Sequence, residues 1–254
     1  GTRDCSIQRR HQKLLEIAPA DLPKDVLERM YEAAIAAAKG SNYVNAGTVE
    51  FLVDSKTNEF WFMEVNTRLQ VEHTVTEELT GVDIVRKQIL IAQGEALDIP
   101  AERVHMLGKA VQVRINAEDP KNQFMPEGGK TVEVYHSPGG PGIRLDGLVY
   151  QGYKIPTEYD SLMVKLTCRG YDWSETIDRL KRALLGFNIV GPKTTIPFYL
   201  AICDEPDFRA GRFDTGYIET HPDLFGYPET EREVAKLAKL IAEIHVKKIN
   251  PYAY

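Results

Sequence analysis

The stretch from Phe60 to His73 carries the densest set of chemically capable side chains in the chain. Read as an extended strand, in which alternate residues share a face, it places Glu64, Asn66, Arg68, Gln70 and Glu72 on one side. Met63, Val65, Thr67, Leu69 and Val71 fall on the other, which reads as a core face. A solvated face also alternates. But such a face mixes Lys, Ser and Thr and has no need of two acids around Asn, Arg and Gln, so the polar set reads as a site. Upstream, Thr48 to Asp54 is a second run rich in Val and aromatics, and Ser55-Lys56-Thr57-Asn58 is a polar turn. A hairpin centred near Thr57 sets Glu50 directly across from Glu64. Two carboxylates whose Cβ atoms lie roughly 5 Å apart repel unless a cation sits between them. A hard divalent ion meets that demand, and Asn66 adds a third oxygen. Mg²⁺ characteristically takes one or two carboxylates plus substrate phosphates, so the hairpin reads as a Mg-nucleotide platform. The competing reading is two exposed acids on an edge strand, which a register slip of one residue would move apart.

A second cluster opens the chain. Alternation puts Gln8, Arg10 and Gln12 on one side of an extended segment and Arg9, His11 and Lys13 on the other. Such a segment can hold phosphates by charge and hydrogen bonding; it can equally be a solvated basic terminus, with Arg9 and Arg10 in structural salt bridges. Cys5 reads as a small buried residue rather than a nucleophile, since nothing marks its thiolate as stabilised. Cys5, Cys168 and Cys203 form no CxxC or Cys/His pattern, which points to reduced thiols of the cytosolic kind. His73 and His105 read as ordinary polar residues, and Tyr153 and Tyr159 as core or rim residues.

These groups need elements to position them. A helix is expected over Lys24 to Lys39, ended by Gly40, then the strand pair Thr48 to Asp54 and Glu59 to Asn66, then a helix over Val75 to Gln93 ended by Gly94. The mixed polar stretch Ala96 to Leu107, with Pro100, marks a boundary. Short strands follow at Lys109 to Ile115, Gly129 to His136, Gly147 to Ile155 and Leu162 to Arg169, punctuated by Gly and Pro, most densely over residues 137–142. Helices return at Trp173 to Phe187 and Thr195 to Cys203, and Pro228 to Lys248 reads as an amphipathic tail helix. The expected organisation is 1–101, 102–222 and a tail, 223–254. With 254 residues, 43% apolar, the chain can bury a core and is neither disordered nor collagen-like. No run approaches the ~18 apolar residues of a membrane span. A net charge of −6 with no basic stripe argues against nucleic acid. Gly1 to Lys13 has no apolar core of a signal peptide.

Several long motifs occur in one order: Arg3-Asp4-Cys5-Ser6-Ile7-Gln8-Arg9-Arg10-His11-Gln12-Lys13, Glu64-Val65-Asn66-Thr67-Arg68-Leu69-Gln70-Val71-Glu72-His73, and Arg114-Ile115-Asn116-Ala117-Glu118-Asp119-Pro120. With Pro138-Gly139-Gly140, Tyr159-Asp160-Ser161 and Gly191-Pro192-Lys193-Thr194-Thr195, they resemble the biotin carboxylase component of biotin-dependent carboxylases over nearly the whole chain. Thr74 within His73-Thr74-Val75-Thr76-Glu77, where acyl-CoA carboxylases commonly have Pro, leans towards the pyruvate carboxylase branch. The resemblance implies an α+β chain: the C-terminal part of an ATP-grasp core, then the biotin carboxylase C-terminal domain of antiparallel strands with helices. It implies an ATP-dependent ligase that forms carboxyphosphate from ATP and bicarbonate and carboxylates N1′ of biotin. Glu50 and Glu64 would hold Mg²⁺ or Mn²⁺, with Asn66 close by. Gln8, His11 and Lys13 would lie at the nucleotide, with Leu52 on the adenine. Arg68, Gln70 and the Val71 backbone would bind bicarbonate, Glu72 would deprotonate it, and Arg114 would stabilise the biotin enolate.

The implied partners are a biotin carboxyl carrier domain, a carboxyltransferase domain or subunit and a second copy. The implied location is the cytoplasm, or the mitochondrial matrix in a eukaryote. Two features depart from the family pattern. The first α/β domain, glycine-rich lid and ATP-binding lysines are expected to be missing, so the chain reads as a piece with weak ATP turnover alone. Pro141 also stands where an aromatic is usual near the dimer contact that Arg144 matches. Two other readings stay open: another ATP-grasp ligase of the carbamoyl-phosphate-synthetase type, and an inactive piece that mediates subunit contacts.

Overall fold

A computed structural model describes residues 1–10, 12–99, 104 and 106–227. The expectations for His11, for His105 and for the helix over 228–248 lie outside the described residues. The chain opens with the short strands β1 (Gln8–Arg9) and β2 (Gln12–Lys13), then β3 (Leu15–Ala18) and helix α1 (Lys24–Gly40). The hairpin β4 (Thr48–Val53) and β5 (Phe60–Asn66) leads into α2 (His73–Thr80) and α3 (Ile84–Ala92). After these come β6 (Lys109–Asn116), β7 (Glu118–Asp119), β8 (Met125–Pro126), β9 (Val134–His136), β10 (Ile143–Gly147) and β11 (Leu162–Gly170). The last elements are α4 (Trp173–Leu185), β12 (Asn188–Val190), α5 (Ile196–Asp204), α6 (Pro206–Arg209) and α7 (Tyr217–Thr220). The mixture of helices and antiparallel strands is the α+β class expected.

The centre is a four-stranded antiparallel sheet in the order β10-β11-β6-β3. Its edge strand β3 comes from near the start of the chain, and the other three follow residue 108. Val111, Val113, Ile115, Leu166 and Cys168 are fully buried, and α4 covers them with Ile177, Leu180, Ala183 and Leu184. The α4 sequence is well suited to that place. Asp172 caps its first turn through a 2.8 Å bond from the Glu175 N–H, and Arg182 lies in its last turn. Where β6 begins, Gly108 has φ +80, and a Cβ there would sit 2.0 Å from the Gly170 carbonyl oxygen. Gly108→Ala is therefore expected to cost at least ~2 kcal/mol, read as a lower urea midpoint.

Several elements differ from expectation. The helix over Val75 to Gln93 is two helices. Gly81, at φ +68, ends α2, and Asp83 caps α3 through the Arg86 N–H at 2.8 Å. Residues 8–13 are not one alternating strand but a tight hairpin that pairs Gln8 with Lys13 and reverses at Arg10, φ +47. The strand expected over Gly147 to Ile155 lies earlier, at Ile143–Gly147, where Ile143 and Leu145 pack on the core. From Gly129 to His136 only Val134–His136 is a strand, pairing with β12, which lacked a sequence signal. Tyr153 packs on the core, whereas Tyr159 is exposed rather than a rim residue. Arg9 and Arg10 make no ion pair among the described residues: Arg9 lies 4.8 Å above the Phe124 ring and Arg10 bonds to Gln123.

Candidate active site

The hairpin forms as expected where it bears on chemistry. Thr48 pairs with Asn66, Val49 with Val65 and Glu50 with Glu64. Asp54 Oδ1 shapes the turn by accepting the Lys56 and Thr57 N–H groups, each at 2.8 Å. A bulge between Glu50 and Phe51 shifts the register, so towards the turn Leu52 faces Trp61. The single strand face over Glu64 to Glu72 is not found. β5 ends at Asn66, and the chain then turns into α2. The burial pattern is also reversed. Met63, Val65 and Thr67 are exposed, whereas Gln70 and Glu72 are buried at 6% and 2% exposure. Most of β5 is left exposed, while the turn after Thr67 carries Glu72 to Lys13 of β2 and Gln70 to Glu50 of β4.

At that turn acids and cations alternate. Lys13 Nζ donates to Glu50 Oε1 at 2.7 Å and to Glu72 Oε1 at 2.9 Å. The other carboxylate oxygen of Glu72 accepts from Arg114 Nη2 at 3.2 Å. Arg114 also gives Nε and Nη2 to Glu16 Oε1, at 3.0 and 2.6 Å. Gln70 Nε2 donates to Glu50 at 2.7 Å, and the Gln70 oxygen accepts from Arg3 at 2.9 Å. Asn66 bridges the facing acids, donating Nδ2 to Glu50 at 3.0 Å and to Glu64 at 2.9 Å. Arg68 is exposed, donating Nη2 to Asn66 Oδ1 and Nη1 to the Leu69 carbonyl, each at 3.3 Å.

These contacts set the ionisation. Burial works to raise the Glu72 carboxyl, but the Lys13 hydrogen bond and the Lys13 and Arg3 charges outweigh it and hold it below the usual range. Burial would lower the Lys13 ammonium, yet its bonds to Glu50 and Glu72 hold it above its ordinary value. Burial raises Glu16 even beside the opposing charge of Arg114. Cys5 is pushed well up, by burial first and then by Glu16, as befits an unreactive thiol.

The structure thus brings together Lys13, Glu50, Glu64, Asn66, Arg68, Gln70, Glu72 and Arg114. Val71 is half-buried in the turn between Gln70 and Glu72, just before α2. Gln8 pairs with Lys13 along the small hairpin, and Leu52 is half exposed on the β4 strand. Sequence reasoning missed Glu16, Arg3 and Gln112. For Glu16 a signal existed: it is the one acid inside Leu14-Leu15-Glu16-Ile17-Ala18, and buried acids are rare unless paired. Gln112 shares a β6 face with Arg114.

Comparison with known proteins bears on the family. Residues 1–100 match the model for the carbamoyl-phosphate synthase L chain ATP-binding domain, and residues 112–220 match the biotin carboxylase C-terminal domain. Biotin carboxylase from Nostoc sp. is 50% identical over 220 residues, covering 86% of this chain and 49% of its own. The chain carries a biotin carboxylase C-terminal domain preceded by an ATP-binding-domain match, and its relatives are biotin carboxylases. Pyruvate carboxylase from Bacillus subtilis is 46% identical over 252 residues, which is 96% of this chain and 22% of the relative. A solved biotin carboxylase domain dimer of Hydrogenobacter thermophilus 2-oxoglutarate carboxylase, in complex with MgADP, ADP and bicarbonate, superposes with a TM-score of 0.86. It is 48% identical, over 89% of this chain and 50% of that one. The chain thus spans about half the length of these biotin carboxylases and about a fifth of pyruvate carboxylase. Among the described residues, no helix of this chain is long and apolar enough to cross a membrane.

Proposed function

We propose that this chain carries the metal-binding and bicarbonate-handling part of a biotin carboxylase. The reaction is ATP-dependent conversion of bicarbonate to carboxyphosphate, followed by carboxylation of biotin N1′ on a carrier domain. The observation that carries the reading is Glu72 held between two cations, Lys13 at 2.9 Å and Arg114 at 3.2 Å. That arrangement keeps a carboxylate ionised beside positive charge that a small anion can share.

The donor set at the hairpin fits a hard divalent cation. Glu50 and Glu64 face each other, and their oxygens draw an amide donor from Asn66 and an ammonium from Lys13. Glu50, Glu64 and Asn66 would hold Mg²⁺ or Mn²⁺, which supplies positive charge at the nucleotide phosphates. Gln8, His11 and Lys13 serve the nucleotide, and Leu52 offers apolar surface to the base. Arg68 presents a planar guanidinium suited to bicarbonate, with Gln70 and the Val71 backbone beside it. Glu72 would take the bicarbonate proton, and Arg114 would stabilise the biotin enolate by its fixed positive charge.

The pyruvate carboxylase assignment within the family rests on Thr74. Its buried hydroxyl bonds to Gln112 and, at 2.7 Å, to Thr167, contacts a proline could not make. The carrier domain, the carboxyltransferase, a second copy and a cytoplasmic or mitochondrial-matrix location complete the proposal. Arg144, expected at the dimer contact, is tied within its own chain to Glu77 at 2.7 Å and Asp146 at 2.8 Å. A carbamoyl-phosphate-synthetase-type ligase would share the metal acids, but the identity to biotin carboxylases continues past residue 112 through the Arg114 motif. A purely structural piece gives no reason for two cations, Lys13 and Arg114, to converge on the buried Glu72. The test is ATP hydrolysis by the complete biotin carboxylase with and without bicarbonate and free biotin. Several-fold stimulation by bicarbonate with biotin is expected; a rate indifferent to both would refute the reading.

A further inference from the structure

Arg114 is shared unequally between two acids. Glu16, on β3, is fully buried and takes two donors from the guanidinium, whereas Glu72 takes one, at the longer distance of 3.2 Å. Glu16 is itself anchored. It sits opposite Gln112 in the β3–β6 register, and Gln112 Nε2 donates to Glu16 Oε2 at 3.0 Å. The Gln112 oxygen is in turn held by the Thr74 hydroxyl, which also contacts Thr167 on β11. From the other side the Arg114 carbonyl accepts from the Thr195 and Tyr199 hydroxyls, at 3.0 and 3.1 Å. A buried chain of hydrogen bonds running through three strands and two helices therefore ends on one guanidinium.

We propose that Glu16 is a positioning residue: it holds the Arg114 guanidinium back from Glu72, leaving Glu72 a competent base and Arg114 an edge for substrate. The inference rests on the biotin carboxylase reading above and on Glu72 as the base. Without the Glu16 charge, Arg114 has one buried acid left to satisfy and closes on Glu72 with both donors. A second cation held tightly on that carboxylate, together with loss of a nearby like charge, weakens it as a base.

The other charged groups around the pair keep their partners in that event. Lys13 on β2 remains on Glu50 and Glu72, and Arg3 remains on Gln70 and Thr48. Asp4 accepts the Ser6 N–H, and Cys5 is a half-buried thiol whose pKa is raised. On α2, His73 Nδ1 bonds to the Gln70 carbonyl and Glu77 pairs with Arg144. Lys165 on β11 lies opposite Arg114 in the register, and Tyr199 on α5 is buried and bonded to the Leu14 and Arg114 carbonyls.

The experiment compares Glu16→Gln with wild type in the complete biotin carboxylase, following bicarbonate-dependent ATP hydrolysis against pH. Glu16→Gln is expected to lower kcat about 10- to 100-fold while KM for ATP stays within about twofold. The acid limb of kcat/KM for bicarbonate should move to lower pH. Glu16→Asp, which restores the charge, should return the limb towards the wild-type position. A Glu16→Gln enzyme with wild-type kcat, or one with reduced kcat and an unmoved acid limb, overturns the proposal. Should Glu16→Gln fail to fold, Gln112→Met loosens the Glu16 anchor, and the same displacement at smaller size is required of it. Glu72→Gln run alongside separates the two failures. If it leaves the bicarbonate-dependent rate intact, the base assignment falls; if it abolishes the rate while Glu16→Gln does not move the limb, only the positioning role falls.

Discussion

Glu72→Gln is expected to lower bicarbonate-dependent ATP hydrolysis and biotin carboxylation by about 10³-fold, the scale of a lost general base, while MgATP binding stays within about twofold. The asymmetry follows from the alternation of charge. Gln keeps the shape of the side chain but accepts no proton from bicarbonate. Lys13 retains Glu50 at 2.7 Å and Arg114 retains Glu16 at 2.6 Å, so neither cation is stranded by the change. Glu50 and Glu64, the proposed metal ligands, have their own donors in Lys13, Gln70 and Asn66, which is why the nucleotide is expected to bind as before. Steady-state rates and calorimetric titration with MgATP measure the two halves. Equal loss of both would mean that Glu72 holds the site's structure instead of moving a proton.

Arg114→Met is expected to be the most destabilising substitution in the site, at about 3–5 kcal/mol near neutral pH, because it leaves a buried carboxylate without its cation. Glu16 has no exposed surface, and among the described residues Gln112 alone supplies its side chain with a neutral donor. The pH dependence has a definite sign. Burial already places the Glu16 pKa above its ordinary value, and loss of the arginine raises it further. The folded variant then binds a proton more readily than the unfolded chain. Its stability is greatest below the ordinary carboxylate range and falls as pH rises through the raised Glu16 pKa. Urea unfolding of the variant should therefore show recovery on acidification from about pH 8 to pH 5. Adding Glu16→Met to the same chain should restore most of the loss at pH 8, since an apolar pair replaces a stranded charge. A penalty independent of pH would show that Glu16 is not ionised in the native protein.

What could be read from the amino acids divides along physical lines. The β4–β5 hairpin was legible because alternation, β-branched and aromatic residues and a polar turn all agree, and these fix the Glu50–Glu64 facing pair. The motif from Glu64 to Glu72 was legible as a site but not as a shape. Alternation in polarity resembles a strand whether the chain stays extended or turns, and here it turns after Asn66. The break at Gly81 escaped notice because the apolar spacing carries on through it, although Gly followed by Asp83 has the composition of one helix ending and another beginning. Arg114 was placed by resemblance alone. Its partner lies far away in sequence, and neither periodicity nor motif joins Glu16 to it; only the β3–β6 pairing does. Lone buried acids in apolar strands are the signal to search for in such cases.

The bulge between Glu50 and Phe51 divides the hairpin into two halves whose registers differ by one residue. In a regular antiparallel pair, one residue gained or lost at the turn slips the partner strand and exchanges its faces along the whole length. A bulge takes up one residue locally. Length variation in the Ser55–Asn58 turn can thus be absorbed before it reaches Glu50 and Glu64. The hairpin gives evolution, or a protein engineer, a loop that tolerates insertion and deletion while the paired acids stay opposite each other.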